Sequence, residues 1–139
     1  LAEKFRFLEH TGDLGMECYG RDLAELLVNG AKGMFEVIVE EPLPGSPRER
    51  RIEVEGESPD GLFLGWLREL LFIYDVERFI PEDFQVEVTD EYEASGLLKG
   101  WGVSEEVMLP GPIKAVTYHT LKVEKDDSGG WRGRVVFDI

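Results

Sequence analysis

Cysteine is nearly missing from this chain. A single thiol, Cys18, stands among 139 residues, so no internal disulfide can form, and no Cys/His cluster has the spacing of a zinc site. A reducing compartment and a cytoplasmic location are therefore expected. Long apolar runs are absent too: none approaches the ~18 residues of a membrane span. No basic segment followed by an apolar one opens the chain, so no secretory signal is visible. Basic residues are scarce, with 15 Lys and Arg against 29 Asp and Glu and a net charge of −14. A surface this acidic repels phosphate backbones and anionic membranes, so direct, tight nucleic-acid binding is not expected. It suits solubility, a basic protein partner or a bound cation. The chain has neither a phosphate-cradling glycine loop followed by Lys and Ser/Thr nor a dinucleotide fingerprint, which argues against NTPases and Rossmann enzymes.

What is present fits one domain over residues 1–139, with 42% hydrophobic and 32% charged residues and length enough for a core without metal or disulfide staples. There is no repeat and no low-complexity tract. Lys4 to Glu9 and Leu14 to Tyr19 alternate in polarity and predict two strands around the loop His10-Thr11-Gly12-Asp13. Asp22 with Glu25 marks a helix start, followed by Leu23, Leu26, Leu27, Gly30, Met34 and Val37 at helical spacing. Glu40 to Arg48, with three prolines, predicts a loop, and Arg51 to Glu55 a short strand. Ser58-Pro59 opens a second helix whose stripe runs through Leu62, Phe63, Trp66, Leu67, Leu70, Leu71 and Tyr74 and ends near Phe79.

After Pro81 the period becomes two. Strands are expected around Phe84–Val88, Glu93–Val103, Val116–Val123 and Trp131–Phe137, with Leu109–Pro112 as a rigid turn and Asp126–Gly130 as a hairpin turn. The fold class is α+β: a two-layer domain with a mostly antiparallel curved sheet and two helices on one face.

Three segments could carry chemistry. Asp13, between Gly12 and Gly15, is either a turn aspartate bonded to its own backbone or a ligand facing residues of other strands. Asp138 and a terminal carboxylate on Ile139 lie one residue apart in a terminal strand. Brought near Asp13, they would need a neutralising cation or proton. Hard oxygen donors suit Ca²⁺, Mg²⁺ or Mn²⁺, although nothing in the spacing brings residue 13 to residue 138. His10 and His119, the two histidines, are either an acid/base pair oriented by Asp13, which would make a small metal-dependent hydrolase, or half-buried structural donors. No Ser or Cys nucleophile stands beside them. Cys18 falls on the apolar side of its strand and reads as packing.

Phe7-Leu8-Glu9-His10-Thr11-Gly12-Asp13-Leu14-Gly15, Ile113-Lys114-Ala115-Val116-Thr117-Tyr118-His119 and Val135-Val136-Phe137-Asp138-Ile139 together resemble the amino-terminal, central and carboxy-terminal signatures of the archease family. The departure is Gly12, where that family commonly has Ala. The resemblance implies a strand-helix-strand-strand module. It also implies a non-enzymatic protein cofactor of the GTP- and metal-dependent tRNA-splicing RNA ligase, promoting guanylylation of the ligase histidine and repeated turnover. On it, Asp13, Asp138 and Ile139 become the metal site, with Ca²⁺ the first choice. A chaperone role has also been suggested for the family, and a binding module with an apolar groove remains the alternative.

Overall fold

The computed structural model describes residues 3–139 apart from Thr11, and of His10 the backbone alone. The loop expected at His10-Thr11-Gly12-Asp13 thus lies partly outside the described residues. The elements run β1 (Phe5–His10), β2 (Asp13–Gly20), α1 (Leu23–Ile38), β3 (Ser46–Glu55), α2 (Pro59–Glu77), β4 (Phe79–Val88), β5 (Glu93–Gly102), β6 (Ala115–Lys125) and β7 (Trp131–Asp138).

Both helices start where the sequence predicts. The Asp22 carboxylate accepts from the Glu25 N–H at 2.8 Å, while Glu25 reaches back to the N–H of Arg21 rather than to the cap residue itself. Ser58 Oγ accepts from the Gly61 N–H at 3.1 Å, with Pro59 in the first turn. α2 ends at Glu77, two residues before the expected Phe79, because Arg78 turns left-handed (φ 55°) and reverses the chain. Its guanidinium then holds the carbonyls of Val103 and Ser104.

The class is α+β and the pairing antiparallel, as read, but the strands form two sheets rather than one curved surface. One has the order β1-β2-β7-β6 and the other β3-β5-β4. The division follows from β7, which returns to pair with the amino-terminal hairpin through β2, leaving β3, β4 and β5 to pair among themselves. The run β3-α2-β4-β5 is the strand-helix-strand-strand module, and it accounts for the whole second sheet. β3 begins at Ser46, five residues before the expected strand. The full length of β5 is available to pair with it, and Pro47 is tolerated because β3 is an edge strand. β4 likewise starts before Pro81, which sits at a bulge where no ladder donor is needed.

Both helices pack on the Leu14–Met16–Cys18 face of the four-stranded sheet, and each also touches the three-stranded one. Close approach is bought with glycine. A Cβ on Gly133 or Gly30 would press on the Phe63 ring, at 3.1 and 2.9 Å. Trp66, fully buried, donates its indole N–H to the Leu27 carbonyl at 2.9 Å and covers Gly96. No helix among the described residues is long and apolar enough to cross a membrane.

Candidate functional site

Strand register decides where the candidate residues stand. β2 and β7 run antiparallel with Asp13 directly opposite Asp138, Gly15 opposite Val136 and Glu17 opposite Arg134. Side chains alternate across a strand. Leu14, Met16 and Cys18 enter the core with Val135 and Phe137, so Asp13 and Asp138 share the opposite, helix-free face. Cross-strand partners on one face have Cβ atoms about 4.5–5.5 Å apart. Two carboxylates 125 positions apart in the numbering are thus brought together by the ladder. Neither takes part in an ion pair among the described residues.

The end of β7 is pinned from its other side. Ala115 of β6 pairs with Asp138, and the Lys114 N–H donates to the Asp138 carbonyl at 2.7 Å. Ile139 follows at the rim, partly exposed. Gly12, in the turn before Asp13, has φ 78°, a conformation that glycine adopts freely and alanine does not.

As a cation site, the donor set is hard, anionic oxygen on a shared face, which fits Ca²⁺, Mg²⁺ or Mn²⁺. It is also incomplete. Among the described residues no group of three or more His, Cys, Asp and Glu gathers for a metal. Asp13, Asp138 and an oxygen of Ile139 supply fewer than the 6–8 oxygens calcium takes, so water or a partner would have to contribute the rest.

The histidines divide. The His10 backbone pairs with Asp13, while its side chain lies outside the described residues. His119 is exposed on β6 where that strand leaves the ladder, and its ring stacks on Tyr118 at 5.4 Å. No hydrogen bond joins it to Asp13 among the described residues. Cys18 is fully buried, its thiol pushed up by burial and pointing at the Gly133 carbonyl, which agrees with a packing role.

Sequence reasoning missed the centre of this face. Glu17, only 4% exposed, accepts from Arg6 Nη2 at 3.0 Å, Tyr19 Oη at 2.9 Å and Arg134 Nη2 at 2.9 Å. Burial by itself would raise its pKa. The hydrogen bonds from Arg134, Tyr19 and Arg6 together outweigh that and hold it at about 2. In the sequence Glu17 is simply the polar position of an alternating strand.

The sequence matches the Archease protein family over residues 5–139. The chain belongs to the archease family. The archease of Archaeoglobus fulgidus is 41% identical over 98% of this chain and 99% of its own, and that of Methanosarcina mazei 34% over 99% and 97%. The solution structure of Methanobacterium thermoautotrophicum protein 1598 superposes with a TM-score of 0.82 at 34% identity, covering 98% of this chain and 99% of that one. A Thermotoga maritima archease, described as a possible chaperone, gives a TM-score of 0.65 at 25% identity over 95% and 94%. The three signature segments meet accordingly. The first and last form the β2–β7 ladder end, and the central one lies along the other side of β7.

Proposed function

We propose that this archease is a non-enzymatic, cytoplasmic protein cofactor of the GTP- and metal-dependent tRNA-splicing RNA ligase. It would promote guanylylation of the ligase histidine and so permit multiple turnover. Family membership supports the ligase as partner, and the observation that carries the mechanism is the cross-strand pair Asp13–Asp138. In this reading Asp13, Asp138 and an oxygen of Ile139 hold a divalent cation, Ca²⁺ by preference, with Mg²⁺ or Mn²⁺ as alternatives. Bound there, the cation supplies positive charge that offsets the two carboxylates and the phosphates near which they are brought.

The chain's own residues do the rest. The β2–β7 ladder fixes the spacing of the aspartates, and the Lys114 N–H keeps the β7 end from fraying. The acidic tip docks at the ligase's metal- and nucleotide-binding mouth. There it favours the arrangement in which the histidine attacks the α-phosphate in line, while phosphoryl transfer remains the ligase's chemistry. The net charge of −14 steers encounter with a basic ligase surface rather than with bare RNA.

The test is multiple-turnover ligation of a broken tRNA by the cognate ligase, with this protein wild type, Asp13→Ala or Asp138→Ala. Stimulation is expected only from the wild type, while both variants unfold at nearly the wild-type temperature. Full stimulation by both variants would remove the mechanism. Calcium titration supplies a second readout: affinity should fall in both Asp13→Ala and Asp138→Ala.

A second reading, a chaperone or binding module, draws on Phe72 and Val76. They stand one helical turn apart on α2, with 54% and 61% of their surfaces exposed. Suppression of client aggregation that survives loss of both aspartates would favour it.

A further inference from the structure

The helix-free face of the four-stranded sheet is ordered in rows by its register. The row through Glu17 reads Arg6, Glu17, Arg134, Lys122 across the four strands. The next carries Arg132 opposite Glu124. Four cations and two carboxylates therefore share a patch of a chain whose net charge is −14. Glu17 is nearly buried and bonded to three partners. Arg132 and Lys122 both pair with Glu124, at 2.8 and 3.9 Å, but two carboxylates do not neutralise four cations: Lys122 is 65% exposed, and Arg6, Arg132 and Arg134 each about half.

At the β6 edge this row abuts an aromatic step. Thr117 pairs with Val136 and Lys122 with Arg134, so Tyr118, His119, Thr120 and Leu121 all stand opposite the single residue Val135. The excursion is built. Thr117 Oγ1 donates to the Val136 carbonyl at 2.8 Å and accepts from the His119 N–H at 3.3 Å. Thr120 takes a left-handed φ of 52°, which a β-branched residue adopts only when its surroundings impose it. The outcome is a Tyr118 ring 69% exposed and stacked on His119 with an interplanar angle of 29°. An exposed aromatic surface four residues from Lys122 on the same strand, with N–H groups of Lys122 and Arg134 beyond those their carboxylate partners accept, meets the two needs of a nucleotide: a π-face for the base and charge-assisted bonds for the phosphate. An acidic peptide would use the cations but has no need of the flat ring.

We propose that this edge is a nucleotide subsite, in which Tyr118 stacks a base while Lys122 and Arg134 hold its phosphate. Its use on RNA held by the ligase rests on the function proposed above; the binding itself belongs to the isolated chain. Repulsion by the remaining surface keeps the affinity low, which is why composition alone points away from nucleic acid.

The experiment is a ¹⁵N NMR titration of the full chain with adenosine 5′-monophosphate, a five-nucleotide single-stranded oligoadenylate, or inorganic phosphate. Amide shifts centred on residues 118–122 are expected with the first two. Tighter binding of the oligonucleotide would identify an RNA strand as the source, and equal binding a free nucleotide. Tyr118→Ala, at an exposed position, should keep the remaining spectrum and weaken binding about tenfold, and Lys122→Glu should weaken it further. No shift at several millimolar nucleotide, equal shifts with phosphate alone, or wild-type affinity in Tyr118→Ala would each overturn the subsite. Ligation assays separate the two proposals. Stimulation that depends on Asp13 and Asp138, with no nucleotide shift, sinks the subsite alone. Nucleotide shifts without stimulation sink the ligase reading alone.

Discussion

The two sheets are built from the chain in different ways. The three-stranded sheet is made from one continuous stretch, β3 to β5, with α2 inside it. The four-stranded sheet joins the amino-terminal hairpin to the last strand; each sheet buries one face. The first is closed by near neighbours and packs a fully buried Trp66 over Gly96. The second leaves a face on which every charged group of the candidate site stands. Structural support and exposed chemistry are thus divided between sheets. Substitutions in the three-stranded unit should cost stability, and those on the open face should cost binding.

The sharpest way to break this division is Gly100→Ala. A Cβ there would run into the Ile80 carbonyl across the β4–β5 ladder, and backbone on backbone cannot yield. Destabilisation of about 3 kcal/mol or more is expected, read by urea unfolding. A near-neutral result would mean that the β4 bulge relaxes freely.

Glu17→Ala should come next, at about 2 kcal/mol. It strands Arg6 and Arg134, although their half-exposed guanidiniums recover water. Glu17 is a buried acid on an otherwise largely exposed face, so a loss rivalling Gly100→Ala would blur the distinction. The same group sets an acid limb. Its folded pKa, about 2, lies below the ordinary 4.5, so its contribution is fully present above pH 4.5 and fades as pH falls toward 2. The whole effect is at most about 3 kcal/mol before screening. Acid titration of the wild type should therefore lose stability in that window, and Glu17→Gln should lose less.

Ser58→Ala removes the α2 cap and should cost about 1 kcal/mol, seen as a lower midpoint in thermal unfolding. Asp138→Asn should have the smallest effect on folding, within about 0.5 kcal/mol, because the residue is exposed and its backbone bonds persist. On the proposed function, calcium affinity should nevertheless collapse in this variant. A large stability loss there would make Asp138 part of the scaffold.

Both helices, their caps and the hairpin turn at Asp126 were readable in one dimension, because each depends on residues within four positions of one another. The Asp126 carboxylate accepts from the Ser128 and Gly130 N–H groups, as a turn aspartate should. The prolines around residue 44 misled: they shortened β3, since a local breaker rule cannot see that an edge strand tolerates Pro47. Asp13 and Asp138 stood out as a turn aspartate and a strand-end acid, and the family signatures joined them into one expected site before any geometry did. Tyr118 lay inside the central signature without a role, and Glu17 stood outside all three.

By itself, the sequence determined local form and charge: where helices begin, which side of each strand is apolar, and that the surface as a whole is acidic. Only the tertiary structure decided which strands lie side by side. Pairing β2 with β7 set Asp13 against Asp138 and lined up Arg6, Glu17, Arg134 and Lys122 into a basic row on an acidic protein. The physical reason is that strand register is fixed by burial of alternate residues across elements far apart in the chain. Propensity acts over a few residues, whereas register joins residue 13 to residue 138.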